Sequence, residues 1–246
     1  MLHNIWDFTL YKPLINALAF LVSIIPGGDL GIAVILITIL IKLILFPLSQ
    51  HSIRNQAAMA MLGPEINKIK ANGKSKEEQA RLTFELYKKH KTNPFSGCLV
   101  QIPIIIIFIS LYYVFYKGVN FNTESLYSFV HIPENINLLF LGILDISQKN
   151  IILAILAGAS QYFQAYFMPK LPSSQATPGS FQESFSKSMN MQMKYFFPFL
   201  MAFIAYGSGA LALYWITSNV FTIFQQIYVG KTEARVLHKE AEKLNP

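Results

Sequence analysis

LGIAVILITILIKLILFPLSQ, Leu30 to Gln50, is an apolar run long enough to cross a bilayer, and it carries one cation, Lys42. A charge at that depth costs ~2.5–3.5 kcal/mol on insertion scales, so it must be hydrated, paired or used. Thr38 lies four residues earlier, on the same helical face as Lys42. Pro47 follows five residues later, close to where the hydrocarbon should end. Snorkelling would have to cover about seven residues to Ser49–Gln50, or ~10 Å of helix rise, more than a lysine stem comfortably reaches. Water entering from one side and stopping within the membrane is the better reading.

Composition agrees with a polytopic membrane protein. Hydrophobic residues make up 53% of the 246 residues and charged residues 13%, against about 25% charged in an average soluble domain. The length leaves room for one membrane domain and little else. A single cysteine, Cys98, excludes an internal disulfide and a cysteine-based zinc cluster. It also lies far from the N-terminus, where a lipoprotein-type site would be.

The apolar blocks predict five spans. Ahead of Leu30, Pro13–Ile25 holds 13 residues, too few to cross ~30 Å of hydrocarbon at 1.5 Å per residue. It reads as an interfacial helix. A cleaved signal is the rival, although MLHN before it carries no Lys or Arg. Pro26-Gly27-Gly28-Asp29 turns the chain into the first span. The second span is Gly97–Tyr116 and the third Ile151–Met168, ending at Pro169. Tyr195–Tyr228 is too long for one ordinary span, and Gly207-Ser208-Gly209 divides it into two, the earlier starting near Met189.

Charge orients these spans. Residues 52–91 hold nine Lys or Arg, 170–194 three and the tail from 231 four, together sixteen of the 20. With five spans all sixteen fall on one side. Opposite them stand only Lys12, Lys117 and Lys149 among the basic residues. The positive-inside rule then places the N-terminus outside and the C-terminus in the cytoplasm.

The organisation expected is an extracytoplasmic segment 1–29, a membrane core 30–230 and a short basic cytoplasmic tail 231–246. Within the core, 52–91 forms a cytoplasmic helical hairpin. It has a break at Gly63-Pro64, a turn at Asn72-Gly73, and a capping box, Ser75-Lys76-Glu77-Glu78, that starts its second helix. Ala80, Phe84 and Tyr87 share a face of that helix. Met59, Met61 and Leu62 offer a soft apolar patch, or pack the hairpin against itself. The Pro/Ser/Gln-rich stretch 169–190 reads as an irregular cytoplasmic loop.

Motifs for catalysis are missing. There is no phosphate loop, no GxSxG, no HExxH and no acidic cluster suited to a metal. The five histidines are scattered. A Ser/Lys pair built on Lys42 has no serine in a recognisable nucleophile context. No cofactor, no specific nucleic acid and no enzymatic activity are expected. The spans carry uncharged polar side chains instead, among them Thr38, Gln101, Ser110, Gln161, Ser218, Asn219, Gln225 and Gln226. Tyr214, Ser218 and Gln225 fall on one face of the last helix. Such groups can be helix–helix glue or the lining of a pocket that also holds Lys42.

Three passages carry a family resemblance. ITILIKLILFP (37–47) has a Thr, a basic residue four positions on and a Pro five further. NPFSGCLVQIPI (93–104) has Asn-Pro, Gly-Cys and Gln-x-Pro elements, and GSGALALYWITSNVFTIFQQ (207–226) has a Gly (Gly209) shortly before Tyr214, then Ser-Asn and Gln-Gln. FLGILDIS (140–147) precedes the third span in the expected order. The chain thus resembles the YidC/Oxa/Alb family of membrane-protein insertases over nearly its full length. Two features depart from the family pattern. The family's usual Arg is here Lys42, which lacks the guanidinium fork but keeps a long-range charge. Only Leu99 and Val100 separate Cys98 from Gln101, where the family has several more residues.

The resemblance implies an all-α polytopic membrane protein. Its five transmembrane helices would surround a hydrophilic groove open to the cytoplasm and to lipid. It implies a bacterial protein of the plasma membrane without a large extracytoplasmic domain. The activity implied is insertion and chaperoning of newly made membrane proteins, without ATP. Lys42 would be the electrostatic anchor for polar substrate tails. Thr38, Gln101, Ser218 and Gln225 would be groove polar groups, and Tyr214 and Trp215 an aromatic pair near the substrate path. Met59, Met61, Leu62, Phe84 and Tyr87 on the hairpin would meet the nascent chain or its targeting partners. Nascent membrane proteins and the lipid bilayer are the partners implied; the Sec translocon, the ribosome and signal recognition particle components are further candidates. A small transporter or channel would also place a cation and amides at membrane depth. It predicts a path to the far side and, ideally, repeat symmetry, and the sequence has no internal repeat.

Overall fold

A computed structural model of the chain describes residues 7–73, 75–90, 92, 105–107, 109–114, 126–131, 133, 135–168, 188 and 190–244. The expected second-span motif 93–104, with Cys98 and Gln101, and most of the loop 169–190 lie outside these residues. The protein is mostly helical. Its described helices include α1 (Lys12–Ile24), α2 (Leu30–Ile44), α3 (Phe46–Met61), α4 (Gly63–Ala71), α5 (Lys76–Lys89), α6 (Ile151–Phe167), α7 (Phe197–Tyr206) and α8 (Gly209–Leu244). A short antiparallel hairpin, β1 (Leu139–Phe140) with β2 (Leu144–Asp145), qualifies the all-helical expectation.

The chain divides into two compact units. The first comprises residues 1–45, 102–162 and 197–221. Its core gathers Ile15, Leu18 and Val22 of α1, Leu30, Val34 and Ile37 of α2, Ile146, Leu153 of α6 and Leu211 of α8. The predicted apolar segment before Leu30 is indeed helical, with one face packed against α2. Its other face leaves Phe20 and Ile24 exposed.

Entry into α2 is over-determined. Gly27 (φ 77°) and Gly28 (φ 64°) take the left-handed conformations of the predicted turn. Asp29, 6% exposed, then caps the helix: one carboxylate oxygen accepts from the Ile32 N–H at 3.0 Å. The other accepts from the Leu141 N–H at 2.8 Å, tying the β-hairpin to the helix start. The Leu30 N–H donates to Asn137 O, and the Asn137 N–H to Gly28 O. A side chain at Gly31 would run into the Phe140 ring. Leu141 (φ 52°) and Gly142 (φ 72°) supply the left-handed pair a tight hairpin turn requires. For a leucine that conformation costs about 1 kcal/mol or more.

The same segment seats α8. The Gly209 N–H donates to Gln148 O at 3.2 Å and the Ala210 N–H to Ile146 O at 3.0 Å. A Cβ at Gly209 would lie 2.8 Å from Ile146 Cα, so only glycine fits. The predicted break at 207–209 is therefore present between α7 and α8, closed by Gly207 N–H to Ile204 O. α6 approaches α7 at Gly158, where a Cβ would sit 2.9 Å from Ala202 Cβ.

In the second unit, residues 46–101, 163–196 and 222–246, α4 and α5 pack around Leu62, Ile66 and Leu86, with Ile69 and Tyr87 alongside. Ser75 caps α5 by accepting from the Glu78 N–H, as the capping box predicts. Of the face that Ala80, Phe84 and Tyr87 share, Tyr87 alone packs against this core. Leu86 is buried while Ala80 and Phe84 are exposed. Leu62, Ile66 and Leu86 fill the space between the helices, and the aromatic Phe84 is left outside. The residues of the expected basic tail continue α8 to Leu244.

Among the described residues, no single helix is long and apolar enough to cross a membrane. Leu30–Ile44 and Phe46–Asn55 together reach that length and composition across a break. The expected first span is thus interrupted at Leu45. Pro47 has no N–H to return to the preceding turn, and its fixed φ suits the start of a new helix. In α8, Thr217, Ser218, Asn219, Thr222, Gln225 and Gln226 dilute the apolar character of an otherwise ample length.

Candidate functional site

Within the first unit, Thr38, Ile41, Lys42, Leu45, Ile107 and Tyr214 line one small cavity of about 10 Å³, room for about one water. Periodicity puts Thr38 and Lys42 on one face of α2, and the core brings the start of α8 against that face. Thr38 is 1% exposed and its hydroxyl donates to Val34 O at 2.6 Å. Lys42 is half-buried. No acidic residue occurs between Leu30 and Gln50.

Tyr214 is 4% exposed and hydrogen-bonded to Ser218 one turn along α8. Its ring meets Trp215 edge-on, with centroids 6.2 Å apart. Trp215 is held in turn: its indole N–H donates to Gln161 Oε1 of α6 at 2.7 Å. Asn219 and Ser160 hydrogen-bond at 3.0 Å on the same pair of helices. Sequence reasoning counted Gln161 and Asn219 only among the polar side chains of the spans. Asn219 lies four residues after Trp215 on α8, but Gln161 and Ser160 lie on α6, 54 and 59 residues from their partners, so the pairing exists only once the helices are packed.

Thr38, Lys42, Tyr214 and Ser218 are therefore brought together, with Trp215 adjoining. Gln225 has a different setting in the second unit. Its amide donates to Ser49 Oγ at 2.7 Å and to Phe46 O at 3.2 Å, satisfying a carbonyl beside the break before α3. Gln101 lies outside the described residues. Met59 and Met61 fall within α3, but their side chains lie outside the description. Leu62, 5% exposed, belongs to the α4–α5 core, whereas Phe84 is 54% exposed and meets Tyr87 edge-on at 6.5 Å. Burial pushes the Tyr87 phenol above its ordinary pKa.

A largely apolar helical protein, with a lysine set inside an apolar helix and a run of hydrogen-bonded polar side chains facing its core, belongs to the class of helical membrane proteins. The family model for the 60Kd inner membrane protein matches residues 20–236, and the chain belongs to that family. It is 33% identical over 230 residues to a membrane protein insertase YidC from a Geobacter species, covering 92% of this chain and 38% of the relative. A membrane protein insertase YidC from Francisella philomiragia is 35% identical over 204 residues, covering 81% of this chain and 32% of the relative. That of Magnetococcus marinus is 33% identical over 234 residues, with 92% and 36% covered. The chain spans about a third of the length of these curated relatives.

Proposed function

We propose that this protein is a membrane-protein insertase of a bacterial inner membrane. In this reading five spans place the N-terminus outside and the C-terminus in the cytoplasm, with α4 and α5 as a cytoplasmic hairpin. The observation that carries the site is the convergence of Thr38, Lys42 and Tyr214 on one cavity beside an apolar helix. A cation held at that depth attracts a short acidic tail, and the polar face of α2 and α8 shortens the dry path that tail must cross. Burying ~20 apolar residues of the substrate in lipid supplies the drive, so no nucleotide is required.

Each residue then has a physical task. Lys42 draws the tail, as a point charge and not a bidentate clamp. Tyr214, fixed by Ser218, walls the cavity, while Trp215, fixed by Gln161, presents a rigid aromatic edge. The exposed Phe84 face of α5 is the first apolar surface a nascent helix meets. Nascent membrane proteins and lipid are the partners, with the Sec translocon, ribosome and signal recognition particle components as further ones.

The test is insertion into protein-only liposomes of a single-span substrate with an acidic N-terminal tail, scored by protease protection of the tail. Wild type and Lys42→Arg are expected to insert it, and Lys42→Ala to lose most of the protection. Neutralising the substrate tail should abolish the difference between wild type and the Lys42→Ala variant. Protection no greater than in empty liposomes would overturn the insertase reading, and full activity of Lys42→Ala would overturn the role of Lys42.

A further inference from the structure

The β-hairpin that ties down α2 carries an apolar tip. Leu141 is 62% exposed and Ile143 79% exposed, on either side of Gly142. Water-facing turns of this kind ordinarily place Asn, Asp or Gly at left-handed positions. Here Leu141 takes the strained conformation and turns its side chain outward. The base of the hairpin is polar: Asp145 accepts from the Ser147 N–H, the Ser147 hydroxyl and the Gln148 amide.

The level of the tip is fixed by three helix starts. The N-terminus of α2 is bonded to Asn137 and, through Asp29, to Leu141. The N-terminus of α8 is bonded to Ile146 and Gln148. α6 begins three residues after Gln148, with Asn150 as its cap. Apolar helices begin where hydrocarbon meets headgroups, so the tip stands at that boundary. The outward residues of the first turns of α6, Ile151, Ile152 and Ile155, are 59–61% exposed and continue the apolar surface from the hairpin into the membrane.

We propose that Leu141 and Ile143 insert into the interfacial layer of the leaflet at which α2, α6 and α8 begin, anchoring those three helix ends at a fixed depth. The occupant is lipid. Two side chains on a tight turn form no groove and fall far short of the ~1,000 Å² a specific protein interface buries, whereas a bilayer boundary asks only for apolar atoms at the right level. The inference rests on the membrane reading of the helices and not on insertase activity.

The test uses the full chain with Cys98→Ser, reconstituted alone in phosphatidylcholine/phosphatidylglycerol vesicles. An environment-sensitive fluorophore is attached at Ile143→Cys, at Ile155→Cys as the lipid reference and at Asn72→Cys as the water reference. Quenching is compared between aqueous iodide, present on both sides of the bilayer, and lipids spin-labelled near the headgroup. The Ile143 site should be quenched several-fold less by iodide than the Asn72 site and strongly by the spin-labelled lipid. Iodide quenching at Ile143 equal to that at Asn72, with Ile155 protected, overturns the anchor alone. Exposure of Ile155 as well overturns the membrane reading on which it rests. Protection of Ile143 only in native membranes points to a protein occupant and also overturns the proposal.

Discussion

Trp215 and Gln161 show how one pair of atoms can hold a candidate site. The indole N–H has a 2.7 Å acceptor on the neighbouring helix, in surroundings where an unmade hydrogen bond finds little water. Gln161→Leu is expected to lower stability by about 1–3 kcal/mol by leaving that donor unpaired. Trp215→Phe in the same background should recover much of the loss, because both partners are then apolar. Thermal unfolding of the two single variants and the double variant in detergent measures the coupling. Additive losses would mean that the two side chains do not depend on each other. Gln225 is a second case at this scale. Its position suits a groove residue, but its amide is spent on Ser49 and the Phe46 carbonyl, so its first task is to satisfy the break between α2 and α3.

At the scale of elements, the junction from β2 into α6 turns on Asp145. The Ser147 hydroxyl, then its N–H and the Gln148 amide hold this carboxyl below its ordinary 3.8. Because the folded-state value is depressed, the stabilisation it brings is present above 3.8 and is lost as pH falls through the lower, folded value. An NMR titration of the Ser147 amide should therefore give a midpoint below 3.8, and Asp145→Asn should abolish the transition. A midpoint at or above 3.8 would show that the three donors do not favour the charged form. Helix starts were legible from sequence wherever the cap is local. Ser75 and Asp29 each bond a backbone N–H three residues on. The inward face of α5 was not, since Phe84 and Leu86 are both apolar and only the shape of α4 selects between them.

For the whole molecule, the expected orientation rests on sixteen basic residues falling on one side of five spans. Asn72, exposed in the turn between α4 and α5, provides a reporter. In a Cys98→Ser background, Asn72→Cys should react with a membrane-impermeant thiol reagent in inside-out vesicles and not in right-side-out vesicles. The opposite pattern would invert the topology and place the α4–α5 pair away from the ribosome side.

The sequence by itself determined the helical class, the membrane character, the breaks at 26–29 and 207–209, and the lysine set within an apolar run. Each of these depends on composition or on residues within a few positions of one another, where propensity, capping and hydrophobic periodicity act. Only the tertiary structure decided which polar groups meet. Asp29 reaches Leu141, Trp215 reaches Gln161 and Gly209 lies against Ile146, across separations that no periodicity encodes. A hydrogen bond or a close backbone approach between distant segments depends on how apolar faces pack, and many pairings satisfy the same apolar pattern. The three-dimensional core selects one of them, and with it the cavity at Lys42.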